Sequence, residues 1–158
     1  MVWFFLLMVT LAASGINIAL SKKKRDLVNV IEIFLVYLFA INIGVMGILA
    51  FYQHAFNSAA VAKMIGWTTS PFQFEMAVTN LGIGIAGLLC IRYRGDFWLA
   101  VALISTIISW GCSWGHWHDM VVNMNYAPYN AGPGIWFADV VIPAILLGLV
   151  LLHRRLKK

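Results

Sequence analysis

Apolar residues run through this chain in long unbroken blocks, separated by short polar stretches that carry most of the charge. A membrane-crossing helix needs about 20 apolar residues, and five blocks approach or reach that length: residues 2–20, 27–51, 71–91, 97–119 and 135–152. The blocks are continuous rather than alternating, which selects helices over a barrel. In lipid only those two architectures satisfy the backbone. The pattern therefore predicts an all-α, polytopic membrane helical bundle, with five transmembrane helices forming a single domain over residues 1–158. Between the second and third spans, SAAVAKMIGW (58–67) places Val61 and Ile65 one turn apart with a lone Lys63. That predicts a short helix lying in the interface, with Trp67 at headgroup level.

The third block opens with helix-start chemistry. Ser70 is placed to cap it, Pro71 suits the first helical position, and Gln73 sits where a capping box wants Glu or Gln. Asp96 is the expected N-cap of the fourth span. VNMNYAPYNAGPG (122–134) is rich in Asn, Pro and Gly and reads as an irregular external loop. Pro143 falls inside the fifth block and should kink it.

Charge then orients the bundle. With five spans, KKKR holds four basic residues, RYR two and HRRLKK four, all on one face, and only Lys63 lies opposite. The positive-inside rule puts those loops in the cytoplasm, hence the N-terminus outside and the C-terminus cytoplasmic. The same rule accounts for the net charge of +5 in a chain that is 62% hydrophobic and 11% charged, so no nucleic-acid partner is expected; the partner is the lipid bilayer. The first block lacks a basic region ahead of it and is followed by one, which favours an uncleaved span over a signal peptide. Cys90 and Cys112 fall at different depths, about 20 Å apart by helical rise, too far for a disulfide within one chain.

Ionisable residues inside the spans define the candidate site. Glu75 lies about 6 Å inside the third span, and Asp139 about 7 Å beyond Gly134 in the fifth. His116 and Asp119 share one face at the outer end of the fourth, with Cys112 one turn below. Together Glu75, His116, Asp119 and Asp139, with Asn80 deeper on the third span, predict an outward-facing intramembrane acidic/His pocket. The loop 125–134 would serve as its lid. Such groups suit a divalent metal ion, a cationic substrate or a proton relay, with Glu75, His116, Asp119 and Asp139 as the metal ligands. The plainer reading is that Asp119 and Asp139 cap helix ends. His54 and His118 read as interfacial side chains.

Glu32 lies about 9 Å below the opposite boundary, too far away to join that cluster. Asn42 and Asn80 sit at middle depths, where interhelical hydrogen bonding is favoured over an ion path. GIGIAG (82–87) matches the dinucleotide fingerprint in letters only, since that motif follows a strand and opens a helix. Here the small residues, such as Gly82 with Ala86, permit close helix packing.

PFQFEMAVTNLGIGIAG, RGDFW, GHWHD and NYAPYNAGP together resemble a family of small prokaryotic inner-membrane proteins that is a domain of unknown function, over residues 68–150. The resemblance implies a multi-span bundle in the cytoplasmic (inner) membrane of a prokaryote and supplies no activity. Three functions follow from the residues. The first is a membrane protein binding a small ligand or cation in the outer pocket. The second is a membrane-embedded enzyme using His116 and Glu75 as acid and base on a lipid-soluble substrate. The third is an accessory subunit, or a homo-oligomer, whose polar residues meet a partner chain.

Overall fold

The computed structural model describes residues 2–22 and 24–158. Five helical rods are long and apolar enough to cross a membrane: Val2–Leu20, Leu27–Phe56, Phe72–Leu89, Asp96–Val122 and Pro128–Leu156. The first is α1 (Val2–Leu20). The second joins α2 (Leu27–Tyr37), a π-helical stretch (Leu38–Val45) and α3 (Met46–Phe56). At 30 residues it is about 45 Å long, well beyond the hydrocarbon thickness of about 30 Å. A short α4 (Ser58–Ile65), closed by Gly66 in the left-handed region at φ 83°, leads to α5 (Phe72–Leu89) and α6 (Asp96–Val122). The last rod comprises α7 (Pro128–Ala131), α8 (Pro133–Trp136), a π-helical turn (Phe137–Val141) and α9 (Ile142–Leu156).

The second rod is the hub. On one side α1 lies against it through a seam of Leu6, Thr10 and Ser14, all buried and one turn apart, with Thr10 donating to Asn42 at 2.6 Å. On another side α5 packs along the π-helical stretch and α3 at backbone contact. A Cβ on Gly47 would lie 2.7 Å from the Gly84 Cα, and one on Gly87 2.7 Å from the Gly44 nitrogen. Any side chain at these positions would force the rods apart. On a third side α9 and α6 close a core of Leu35, Phe39, Trp98, Ala102, Leu146 and Val150.

The glycine seam is thus real but uses other residues than expected: Gly84 and Gly87 are in contact, whereas a Cβ on Gly82 would meet nothing within 4 Å. Other local expectations are corrected as well. Ser70 makes no side-chain cap at α5, and the Gln73 amide, instead of reaching back to the helix start, donates across to the Ser58 carbonyl at 3.0 Å. Asp96 is the first residue of α6, behind Gly95 at φ 65°, and its carboxylate binds Arg154. The 122–134 segment holds one short helix, Pro128–Ala131, and the start of a second, Pro133–Trp136, each opened by a proline, a residue already shaped for that position. Pro143 has no N–H for the Asp139 carbonyl. The chain answers with the π-helical turn, in which the Ile142 N–H reaches back five residues to Phe137.

Candidate functional site

At the end of the bundle where α6 finishes, Asp119 is enclosed by donors. Its Oδ2 accepts from Trp67 Nε1 at 2.8 Å and Asn125 Nδ2 at 2.6 Å, and its Oδ1 from Asn123 Nδ2 at 2.7 Å. The Trp67 ring stacks on His116, with centroids 5.3 Å apart and planes 11° from parallel. His116, 8% exposed, holds Asn130 Oδ1 at 2.7 Å through Nδ1. The Asn130 amide nitrogen donates to the carbonyls of Asn125 and His116. That fixes its oxygen as the acceptor, so Nδ1 of His116 carries the proton and Nε2 is left with a lone pair when the ring is neutral. Asn125 also donates to the Ile65 carbonyl at 2.9 Å. The whole set is a clasp that ties the 123–131 loop to α6 and to the chain after α4.

His116 and Asp119 therefore meet, through Trp67, but the other expected residues stand apart. Glu75 is exposed in the first turn of α5, and its carboxylate has no partner among the described residues. Asn80 donates to Met76 in its own helix. Asp139, half-buried on the π-helical turn, has neither hydrogen bond nor ion pair among the described residues and lies within electrostatic reach of Cys112. No group of three or more His, Cys, Asp or Glu residues is arranged to hold a metal ion among the described residues. The four-ligand convergence expected from depth alone is not formed. Equal depth says nothing of the angular face, and Glu75 points away from the bundle.

The opposite end carries the denser charge. Glu32, whose side chain is 11% exposed, accepts from Arg94 Nη1 at 2.5 Å on one oxygen. Its other oxygen takes Lys157 Nζ at 2.6 Å and His153 Nε2 at 3.2 Å. A carboxylate only accepts, so the His153 Nε2 carries a proton. Trp98, buried at 1% exposure, donates to the Cys90 carbonyl at 2.8 Å and packs against Phe39 and His153. The Arg94 guanidinium lies 5.7 Å from its ring centroid. Three basic groups, from the α5–α6 turn, the end of α9 and the tail beyond it, thus converge on one carboxylate of α2. Beside Glu32 the α1–α2 seam opens into a cavity of about 170 Å³ lined by Asn17, Ser21, Glu32, Ile33, Val36, Tyr37 and Arg94.

Sequence reasoning set Glu32 aside and counted Arg94, His153 and Lys157 only as orientation signals. The signal that could have joined them is elementary: an acid inside a span needs a cation at its own depth, and those clusters supply the nearest.

All 158 residues match the model of a "Family of unknown function (DUF6790)". The chain belongs to that family. Membership in DUF6790 extends over the full chain, beyond the 68–150 stretch that carries the resemblance, and brings no activity with it. No curated protein and no solved structure matches the chain.

Proposed function

We propose that this DUF6790 chain is a membrane-embedded binding protein whose ligand occupies the cavity between α1 and α2, on the cytoplasmic face. One observation carries the reading: a cavity of about 170 Å³ opens against an intramembrane carboxylate that three basic groups hold in place. A void of that size exceeds by about tenfold the 10–15 Å³ that one water requires, so it admits a group of several heavy atoms. Its polar groups converge from two spans, as in ligand sites generally. Binding is favoured over catalysis because Glu32 is committed to Arg94, Lys157 and His153 and is not a free base. The crowding of basic loops at this end supports the cytoplasmic placement.

The test exploits Asn17, which lines the cavity yet is exposed. Asn17→Trp should fill the mouth at little cost to folding. Mass spectrometry of the purified proteins should find a compound in the wild type that the variant lacks; identical contents would reject the reading.

A second reading keeps the outer pocket in reduced form, as a cation site at the Asp139 carboxylate. It is favoured by the Asp139 carboxylate and by three buried polar atoms on the elements of that half, His54 Nδ1, Gln73 Oε1 and Ser113 Oγ, all without a partner among the described residues. Metal analysis of the wild type and of Asp139→Asn decides it. A divalent ion present in the first and lost in the second is the expected result, and no ion in either removes this site.

A further inference from the structure

From the chemistry around the cavity we infer that its occupant is an anionic phospholipid of the surrounding leaflet, with the phosphate at the mouth and an acyl chain along the α1–α2 seam; this rests on the cavity being the ligand site. The cavity does not end at Ser21. A shallow recess lined by Ile18, Ser21, Lys24, Arg25, Asn29, Val30 and Ile33 adjoins it, sharing Ser21 and Ile33. Along the combined groove the side chains sort by polarity. Arg94, Lys24 and Arg25 are its cations, Asn17 and Tyr37 supply polar groups, and Ile18, Val30, Ile33 and Val36 supply apolar surface.

Charge selects the headgroup. Three cationic side chains line the groove against one carboxylate, Glu32, which is already saturated by Arg94, Lys157 and His153. Arg94 uses only Nη1 on Glu32, and its other N–H groups have no hydrogen-bond acceptor among the described residues. Asn17 donates to the Tyr37 hydroxyl oxygen at 2.9 Å, which leaves the Tyr37 proton available to a further acceptor. The groove therefore offers donors and positive charge, the complement of a phosphodiester. A choline group would need a free carboxylate or an aromatic cage, and Glu32 is spent. Size separates head from tail. The cavity of about 170 Å³ holds a phosphate with part of its glycerol, whereas the recess, at about 10 Å³, holds no more than a water. The acyl chain must therefore lie on the open seam over Ile18 and Ile33, facing the bilayer.

The experiment uses the full chain in nanodiscs of phosphatidylcholine alone or mixed with phosphatidylglycerol, with retained lipids counted by native mass spectrometry after detergent release. Phosphatidylglycerol should be retained in preference to phosphatidylcholine. Lys24→Gln combined with Arg25→Gln, both exposed positions, should lower that retention on the order of tenfold, with the unfolding midpoint moved by no more than the loss of the exposed Arg25 bond to the Ala19 carbonyl. Equal retention of the two lipids, or a double variant that keeps the preference, would overturn the inference. A stabilisation of delipidated protein by inorganic phosphate as large as that by phosphatidylglycerol would also overturn it, assigning the groove to a soluble anion. Asn17→Trp separates this proposal from the one beneath it. If that variant loses a copurifying non-lipid compound while lipid retention is unchanged, the cavity stands as a ligand site and the lipid assignment falls. If it loses neither, both fall.

Discussion

The two ends of this bundle are both closed by hydrogen-bonded side chains, but they do different work with different chemistry. At the basic end a buried carboxylate draws two cations, Arg94 and Lys157, and the His153 imidazole from chain segments far apart in sequence, so its bonds join whole spans. At the other end, amides, an indole and an imidazole hold the 123–131 loop to the tips of α6 and α4. One network fixes how the rods sit together; the other fixes where a loop lies. The difference follows from what each leaves unpaired when broken: a buried charge in the first case, and in the second neutral donors and acceptors with the partly exposed Asp119 carboxylate.

The sharpest way to break the comparison is Glu32→Ala. Removing one partner of a fully buried pair costs about 3–5 kcal/mol. Arg94 and Lys157 keep 44% and 53% of their side-chain surface exposed and can swing toward headgroups. The expected loss is therefore at the lower end, about 3 kcal/mol, measured as global unfolding in mixed micelles. A loss smaller than that of any clasp variant would show that the charges are not what joins the spans.

Next in size is Asn130→Ala. Asn130 is fully buried and satisfies His116 and two backbone carbonyls, so its removal should cost about 2 kcal/mol. The effect should be local. Hydrogen exchange should accelerate through residues 123–136 and leave α2 and α9 protected. Acceleration spread evenly over all five rods would dissolve the distinction between the two ends.

Trp67→Phe should weaken the same clasp by less, about 1 kcal/mol. It keeps a ring to stack on His116 and loses only the bond to Asp119. Global unfolding followed by the fluorescence of the six remaining tryptophans would measure it. A cost equal to that of Asn130→Ala would mean that the indole hydrogen bond, and not the loop amides, holds the clasp.

These two networks were unequally legible in the sequence. The five spans and the one-sided distribution of basic residues follow from hydrophobic run length and charge position, which are local properties, and the five rods are where those runs lie. Helix boundaries shifted where prolines intervened, because Pro128 and Pro133 open short helices that composition alone reads as loop. The residue sets were harder. Depth along a helix is set by the rise per residue, so placing Glu75, His116, Asp119 and Asp139 at similar levels was straightforward. Which way each faces depends on the rotation of every rod. For Asp139 the π-helical turn 137–141 resets that rotation, while Glu75, His116 and Asp119 lie on rods whose rotation is set by packing against their neighbours. Asn125 and Asn130 were counted as lid residues for a related reason: their role depends on the loop folding back to His116, a non-local event.

The smallest effect tests whether distance alone ranks these contacts. Arg154 Nη1 lies 2.6 Å from Asp96 Oδ1, and Lys157 Nζ lies 2.6 Å from Glu32 Oε2, so the two ion pairs are equal by length. Their surroundings are not. The Asp96 side chain is 92% exposed and that of Glu32 11%. An exposed pair has water and headgroups as alternative partners and pays side-chain entropy to stay in register, which limits it to about 0.2–1 kcal/mol. Arg154→Gln should therefore shift unfolding by less than about 0.5 kcal/mol and respond to salt. Lys157→Gln should cost more and respond less, because the carboxylate it leaves behind is buried. If the two substitutions prove equal, burial is not what distinguishes the Glu32 cluster. The basic end would then be a set of surface bridges with no special claim to hold the spans together.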